Sequence, residues 1–347
     1  MFKYTKVLLI VNPFHKESHP VFLQTLITLQ SKGLKCFLEK PVLAKLLDPA
    51  SFGSYEETEH IDIDAIEPLI TTREEVELAI AFGGDGTILH FSKLYYNSAF
   101  PAPDLLAFNF GSLGYLCSFE VEDVSCVLRY IFGWKFDKIK QEKLVEGPEG
   151  ICITRMKRQR LAINLLKAEG SMFELQSFHF EGGKSLEACT AEFNALNEIN
   201  LTSRTALENV KLEVAINGKY LTTYEGTGLV FSTPTGSTSY NLSLHGSIIH
   251  NDVECIGMIA ICNTASISMK PLILPADIEI TVKNVSDDPE AISQGICDGS
   301  LIFKFNPGDT VCISGSKSYI PQLMKTRRDP TKDWMLRLKE KLSLFEY

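Results

Sequence analysis

The sequence predicts two domains of different class. The first is an α/β domain with a parallel sheet and helices on both faces; the second is all-β and sandwich-like. Three observations predict this. In the first third, short apolar runs alternate with helix-spaced segments. Beyond about residue 145, many short runs are separated by turn residues. The last stretch returns to helical spacing, as a C-terminal helix that comes back to the N-terminal domain. The expected divisions are 1–145, 146–317 and a helical tail at 318–347. A chain of 347 residues exceeds what one core usually serves, because single cores stop growing at about 250–300 residues.

The elements follow in order. Val7–Val11 is a buried strand ended by Asn12-Pro13, and it is too short for a signal peptide's apolar region. Val21, Phe22, Leu23, Leu26, Ile27 and Leu29 share a helix face, and Leu34–Leu38 is the next strand. Glu77–Phe82 is a strand, a glycine turn follows, a helix runs from about Thr87 to Tyr96, and Leu105–Phe110 is another strand. Further on, Asn217-Gly218 between Leu212–Ile216 and Tyr220–Thr223 is a strong hairpin signal. Gly228–Ser232, Gly257–Cys262, Ile278–Lys283, Leu301–Phe305 and Thr310–Ser314 complete the β half, where so many short strands predict two packed layers. Asp333–Tyr347 places Trp334, Leu338, Leu342 and Phe345 on one helical face that needs a surface to dock on.

A net charge of −9 argues against a nucleic-acid partner, which clustered Lys and Arg would have to neutralise. Nine dispersed cysteines without a C-x-x-C pair fit neither a zinc site nor a disulfide framework. They read as reduced thiols of a cytoplasmic protein. No run approaches the ~20 apolar residues of a bilayer span, so no membrane partner is expected.

Four segments can carry chemistry. Gly83-Gly84-Asp85-Gly86-Thr87 lies between a strand and a helix, where glycines admit close approach and the helix start offers N–H groups to phosphate. Asp85 is unusual there, because a carboxylate repels phosphate unless it takes a proton or holds a metal; the plain alternative is a helix cap. Asn109-Phe110-Gly111-Ser112-Leu113-Gly114-Tyr115 follows the next strand, one crossover away, and Tyr115 could stack on a heterocycle or pack as a rim aromatic. Asn197-Glu198 offers acceptors suited to ribose hydroxyls, or is a solvated turn. Ser232–Tyr240 (STPTGSTSY) is a dense hydroxyl array at a strand end, able to bind a polar ligand or its own backbone.

Together these segments resemble the NAD kinase family, with support from Ser268–Leu272 and Asp298-Gly299. GGDG by itself is shared with lipid kinases and phosphofructokinases; the hydroxyl segment with the upstream Asn-Glu is more specific. The resemblance implies transfer of the ATP γ-phosphoryl group to the 2′-hydroxyl of the adenosine ribose of NAD, with the dinucleotide held between the two domains. It implies Asp85 as the group that deprotonates or orients that hydroxyl, and Gly83, Gly84, Gly86 and Thr87 as phosphate ligands. Asn109, Tyr115, Asn197, Glu198, Thr227, Thr235, Thr238, Ser239, Tyr240 and Ser243 would bind NAD. Mg²⁺ or another divalent cation would come with ATP, held mainly by substrate phosphates, and a homodimer or homotetramer is implied. The chain departs from the family at Gly226-Thr227-Gly228, where a Gly-Asp-Gly is usual, at Leu244–Ser247, and at Thr264-Ala265-Ser266. The rival readings are a GGDGT-type lipid kinase and an NAD-binding regulator without activity. A dehydrogenase is disfavoured, because no G-x-G-x-x-G follows the first strand.

Overall fold

The computed structural model describes residues 4–12, 15–47, 60–69, 76–95, 101–111, 114–134, 152–168, 173–177, 186–188, 190–204, 208–263, 270–288, 293–326, 334–336 and 338–340. The chain divides into two compact units. One comprises Met1–Tyr95, Ala99–Lys157 and Ile320–Tyr347, and the other Tyr96–Ser98 and Arg158–Tyr319.

The first unit is α/β. Its strands are β1 (Lys6–Val11), β2 (Lys35–Leu38), β3 (Ile66–Pro68), β4 (Leu78–Gly83), β5 (Asp104–Asn109), the short β6 (Phe119–Glu120) and β7 (Cys152–Arg158), with helices α1 (His19–Ser31), α2 (Lys40–Leu46), α3 (Asp85–Leu94) and α4 (Val124–Phe132). Strands β3-β2-β1-β4-β5 pair in parallel, and β4 and β5 are buried from end to end, as expected of strands covered on both faces. Helix α1 stops where Gly33, at φ 74°, lets the Gly33 N–H bond the Gln30 carbonyl and the Leu34 N–H the Leu29 carbonyl. The strand order reverses between β1 and β4, so the turn after β4 lies at the place where open α/β sheets put their ligands.

The second unit is an antiparallel sheet of β8 (Leu161–Leu166), β9 (Phe173–Ser177), β10 (Leu186–Ala188), β11 (Thr190–Ala195), β12 (Glu198–Ser203), β13 (Val210–Ile216), β14 (Lys219–Ser232), β15 (Cys255–Asn263), β16 (Leu272–Pro275), β17 (Ile280–Asn284), β18 (Ser293–Cys297), β19 (Leu301–Phe305) and β20 (Thr310–Gly315). Phe193 on β11, at one end of the strand path, meets Phe303 on β19, near the other end, with ring centroids 6.1 Å apart. The sheet therefore folds over on itself around one apolar core, giving the sandwich-like class the sequence predicts. The Asn217-Gly218 turn has both residues at positive φ, 48° and 73°, which matches the twist of its two strands.

Two strands of the first sheet come from outside the region the sequence assigned to it. β7 lies in 146–317, read above as β-half, and the last strand, β21 (Ile320–Thr326), occupies the start of the expected helical tail. β21 pairs with β5 at Gln322 and Leu105, and Ile320, Leu323 and Met324 are buried. Its apolar positions are interrupted by Pro321-Gln322, so neither an alternating nor a continuous pattern announces it. Residues 334–336 and 338–340 are helical, with Leu338 buried; Leu342 and Phe345 lie outside the described residues. No helix among the described residues is long and apolar enough to cross a membrane.

Candidate active site

The glycine turn and the Asn109 turn form one structure. Gly84 occupies the N-cap of α3, where it offers no side chain to the helix start, and Asp85 is the first helical position. The Asp85 carboxylate accepts the N–H of Leu116 at 2.8 Å and that of Tyr115 at 3.1 Å, one on each oxygen. Two N–H donors fix the plane of the carboxylate and stabilise its charge, while Asp85 stays half-buried.

The neighbouring residues make this clamp possible. Asn109 is buried; its Oδ1 accepts the Gly111 N–H and its Nδ2 donates to Glu120. Gly114 has φ 54°, and a Cβ there would lie 2.3 Å from the Asn109 side chain. Gly111 lies beside Gly84 in ordinary contact, a Cβ on Gly111 being 3.4 Å from the Gly84 Cα. The Leu116 carbonyl accepts from the buried Gln322 Nε2 on β21, so the strand missed in the sequence braces the turn that holds Asp85. Gly83 is buried, Thr87 half-buried, Gly86 exposed and Tyr115 half-buried; Ser112 and Leu113 lie outside the described residues.

In the second unit, Asn197 and Glu198 are gripped from both sides. Asp298 accepts the N–H groups of Leu196, Asn197 and Glu198 at 2.8, 2.7 and 3.2 Å. The Thr233 N–H donates to the Asn197 carbonyl and its hydroxyl to the Leu196 carbonyl. Gly236 is required here, because a Cβ would lie 2.1 Å from the Asn197 carbonyl oxygen. The hydroxyl segment is thus folded onto Asn197-Glu198, as a 3-10 turn at Thr235–Thr238 followed by the short helix α5 (Tyr240–Ser243).

Most of its hydroxyls serve that folding. Ser237 donates to the Pro234 carbonyl and Thr238 to the Thr235 carbonyl, while buried Thr235 bonds Asn251 and accepts from the buried Arg158. Ser239 reaches Glu198 Oε1 at 3.4 Å. Asn197 Oδ1, Glu198 Oε2 and Ser232 Oγ are buried without a hydrogen-bond partner, and Ser232 is the cross-strand partner of Glu198. Buried acceptors left unbonded are costly, so these atoms are suited to donors of a ligand. Burial first, and the charge of Asp298 second, push the Glu198 carboxyl up to about 8.

The remaining residues sit at the margin. Thr227 is half-buried on β14, and Tyr240 and Ser243 are exposed. The Tyr224 hydroxyl accepts the Gly228 N–H and donates to the Ile261 carbonyl, bridging across Gly226-Thr227. His245 adopts φ 60° at one of the departures, a conformation His tolerates better than most residues, and Gly246 keeps the close approach to Asn241. Thr264–Met269 lie outside the described residues.

The description "ATP-NAD kinase N-terminal domain" matches residues 7–135, and "ATP-NAD kinase C-terminal domain" matches 196–325. An NAD kinase of Gemmatimonas aurantiaca is 30% identical over 304 residues, covering 87% of this chain and 90% of that protein. The chain belongs to the ATP-NAD kinase family. An NAD kinase of Citrifermentans bemidjiense is 26% identical over 314 residues, 90% of each protein. Yeast NADH kinase complexed with NADH shares the fold at a TM-score of 0.76 and 22% identity, over 99% of this chain and 89% of that one. For this NAD kinase family member, the GGDGT turn, the Asn109 turn and the Asn-Glu and hydroxyl segments all fall inside or beside the matched regions. Asp298 was visible in the sequence only as half of an Asp-Gly pair. Its signal as a site residue would have been an aspartate in a β-hairpin turn whose strand neighbours Asn197-Glu198, which requires the pairing of β12 with β18.

Proposed function

We propose that this kinase transfers the γ-phosphoryl group of ATP to the 2′-hydroxyl of the adenosine ribose of NAD, with Asp85 taking the hydroxyl proton as the oxygen attacks phosphorus and ADP leaves. The observation that carries this reading is the double N–H clamp on a half-buried carboxylate at the first position of α3. A carboxylate held in one plane is ready to receive a proton from a fixed direction. Phosphoryl transfer leaves little covalent work to the protein, so alignment and charge neutralisation dominate. Gly83, Gly84, Gly86 and Thr87 would hold phosphate at the start of α3, where N–H groups lack helical partners. Asn197, Glu198 and Ser239 would bind NAD, with Tyr115, Asn109, Thr227, Thr235, Thr238, Tyr240 and Ser243 as further contacts.

Among the described residues, no three His, Cys, Asp or Glu side chains converge as a metal site. A Mg²⁺ ion brought by ATP usually keeps several waters and needs only one or two carboxylates besides phosphates, and Asp85 is the carboxylate on this turn. The ion would neutralise phosphate charge when bound. We also propose a cytoplasmic homodimer or homotetramer, the former from the dispersed free thiols and the latter from the family resemblance.

The test is NADP formation from NAD, ATP and Mg²⁺, read by an NADP-specific dehydrogenase. NADP produced in proportion to enzyme supports the reading. NAD-dependent thermal stabilisation without product would support the regulator, and phosphorylation of a lipid alcohol without NADP would support the lipid kinase.

A further inference from the structure

We infer that Asp298 is a positioning residue for the dinucleotide, fixing through its three backbone bonds the angle at which Asn197 and Glu198 present their side chains. The inference rests on the NAD-binding reading of Asn197-Glu198 and deepens it. Asp298 follows β18, in the turn to β19, with φ 44° beside Gly299 at φ 68°. Its own N–H also donates to the Glu198 carbonyl at 3.1 Å, so the residue meets the 196–198 segment through backbone and side chain alike.

The arrangement is more than a turn requires. An Asp-Gly hairpin forms well with its side chain in water, yet Asp298 is only 6% exposed. Burying a carboxylate is costly unless hydrogen bonds compensate it. Here two of the three N–H groups it accepts belong to the residues whose side-chain oxygens, Asn197 Oδ1 and Glu198 Oε2, are buried and unbonded. Thr233 holds the carbonyls of Leu196 and Asn197, so the segment is fixed on both edges and its side chains have little freedom to turn away. Preorganising acceptors in this way reduces the ordering cost of binding.

Charge enters as well. Asp298 raises the Glu198 carboxyl, Ser239 opposes that from the hydroxyl segment, and Arg160, buried at the β7–β8 junction, is attracted to Asp298. Glu198 therefore stays protonated, able to donate or accept, over a wider pH range than burial alone would give.

The experiment measures NAD dissociation constant, kcat and thermal midpoint for the full chain and for Asp298→Asn across pH 6–9. An amide keeps the shape but turns an NH₂ toward backbone N–H groups and removes the charge. The expected result is NAD affinity weakened about tenfold with kcat at saturating NAD within about threefold, and the pH midpoint of NAD binding moved to lower pH. Loss of stability with unchanged affinity and an unchanged pH midpoint overturns the proposal. If Asp298→Asn does not fold, Thr233→Val decides, because it loosens the same segment from its carbonyl edge. NAD affinity weakened about threefold or more with ATP KM unchanged supports the proposal, and wild-type affinity overturns it. A wild-type chain that fails to bind NAD at all refutes the parent reading, which the same titration shows before any variant is compared.

Discussion

Asp85 and Asp298 are held by the same device in the two units. Each carboxylate collects backbone N–H groups from a turn far along the chain, Tyr115 and Leu116 for the first, Leu196, Asn197 and Glu198 for the second. What separates them is access. Asp85 stands half-buried at the strand-order reversal of a parallel sheet, whereas Asp298 is sealed under the residues it holds. A clamped carboxylate with access can exchange a proton with a substrate; a sealed one can only set the position and charge of its neighbours. The bonding pattern is shared, and burial is what distinguishes the two carboxylates.

The comparison breaks most visibly at Asp85. Asp85→Asn retains the shape of the turn and removes the base, so kcat is expected to fall about 10²–10⁴-fold with NAD affinity nearly intact. Equal loss of rate and affinity, measured by steady-state kinetics beside equilibrium titration, would make Asp85 a structural clamp like Asp298. Next in size is Gly236→Ala. The new methyl meets the Asn197 carbonyl, which is backbone and cannot swing aside, so a stability loss of about 1–3 kcal/mol and a raised NAD KM are expected in thermal melts and kinetics. Gly111→Ala meets only an ordinary contact with Gly84 and should melt close to wild type.

The third effect follows pH. Glu198 holds its proton to about 8 in the folded chain but releases it near 4.5 when unfolded. Between those values the native state binds the extra proton, so its contribution to stability is present at low pH and is lost as pH rises, by up to about 1.4 kcal/mol per pH unit. Glu198→Gln cannot ionise and should show a flatter stability curve from pH 5 to 8 in denaturant titrations; parallel curves would contradict the shift. The smallest effect is at Gly86, where an added methyl meets nothing within 4 Å. Gly86→Ala should leave stability equal or higher by about 0.4–1 kcal/mol in denaturant titrations, while raising the ATP KM, since a methyl crowds only an approaching phosphate. An unchanged ATP KM would remove Gly86 from the phosphate cradle.

Much of this was legible in the chain because the signals are local. The buried run before Gly83, the glycine turn itself and the Asn217-Gly218 hairpin each depend on a few consecutive residues, and the structure places them as read. The clamp on Asp85 was not legible. Its donors are backbone N–H groups 30 and 31 residues away, which no residue type announces. The grip of Asp298 spans about 100 residues and depends on β12 lying beside β18. The hydroxyl segment shows the same limit from the other side. Its composition left open a ligand surface or hydroxyls turned on their own backbone, and Thr233, Ser237 and Thr238 spend theirs on nearby carbonyls and so build the seat of Asn197 and Glu198. β21 escaped notice because long-range pairing, rather than its own pattern, makes it a strand.

The most direct measurement sets Asp85→Asn and Asp298→Asn side by side, with kcat and NAD dissociation constant determined for both under one set of conditions. Opposite outcomes are predicted: rate lost and affinity kept for the first, affinity lost and rate largely kept for the second. If the two variants fail in the same manner, access to the carboxylate does not divide chemistry from positioning in this protein.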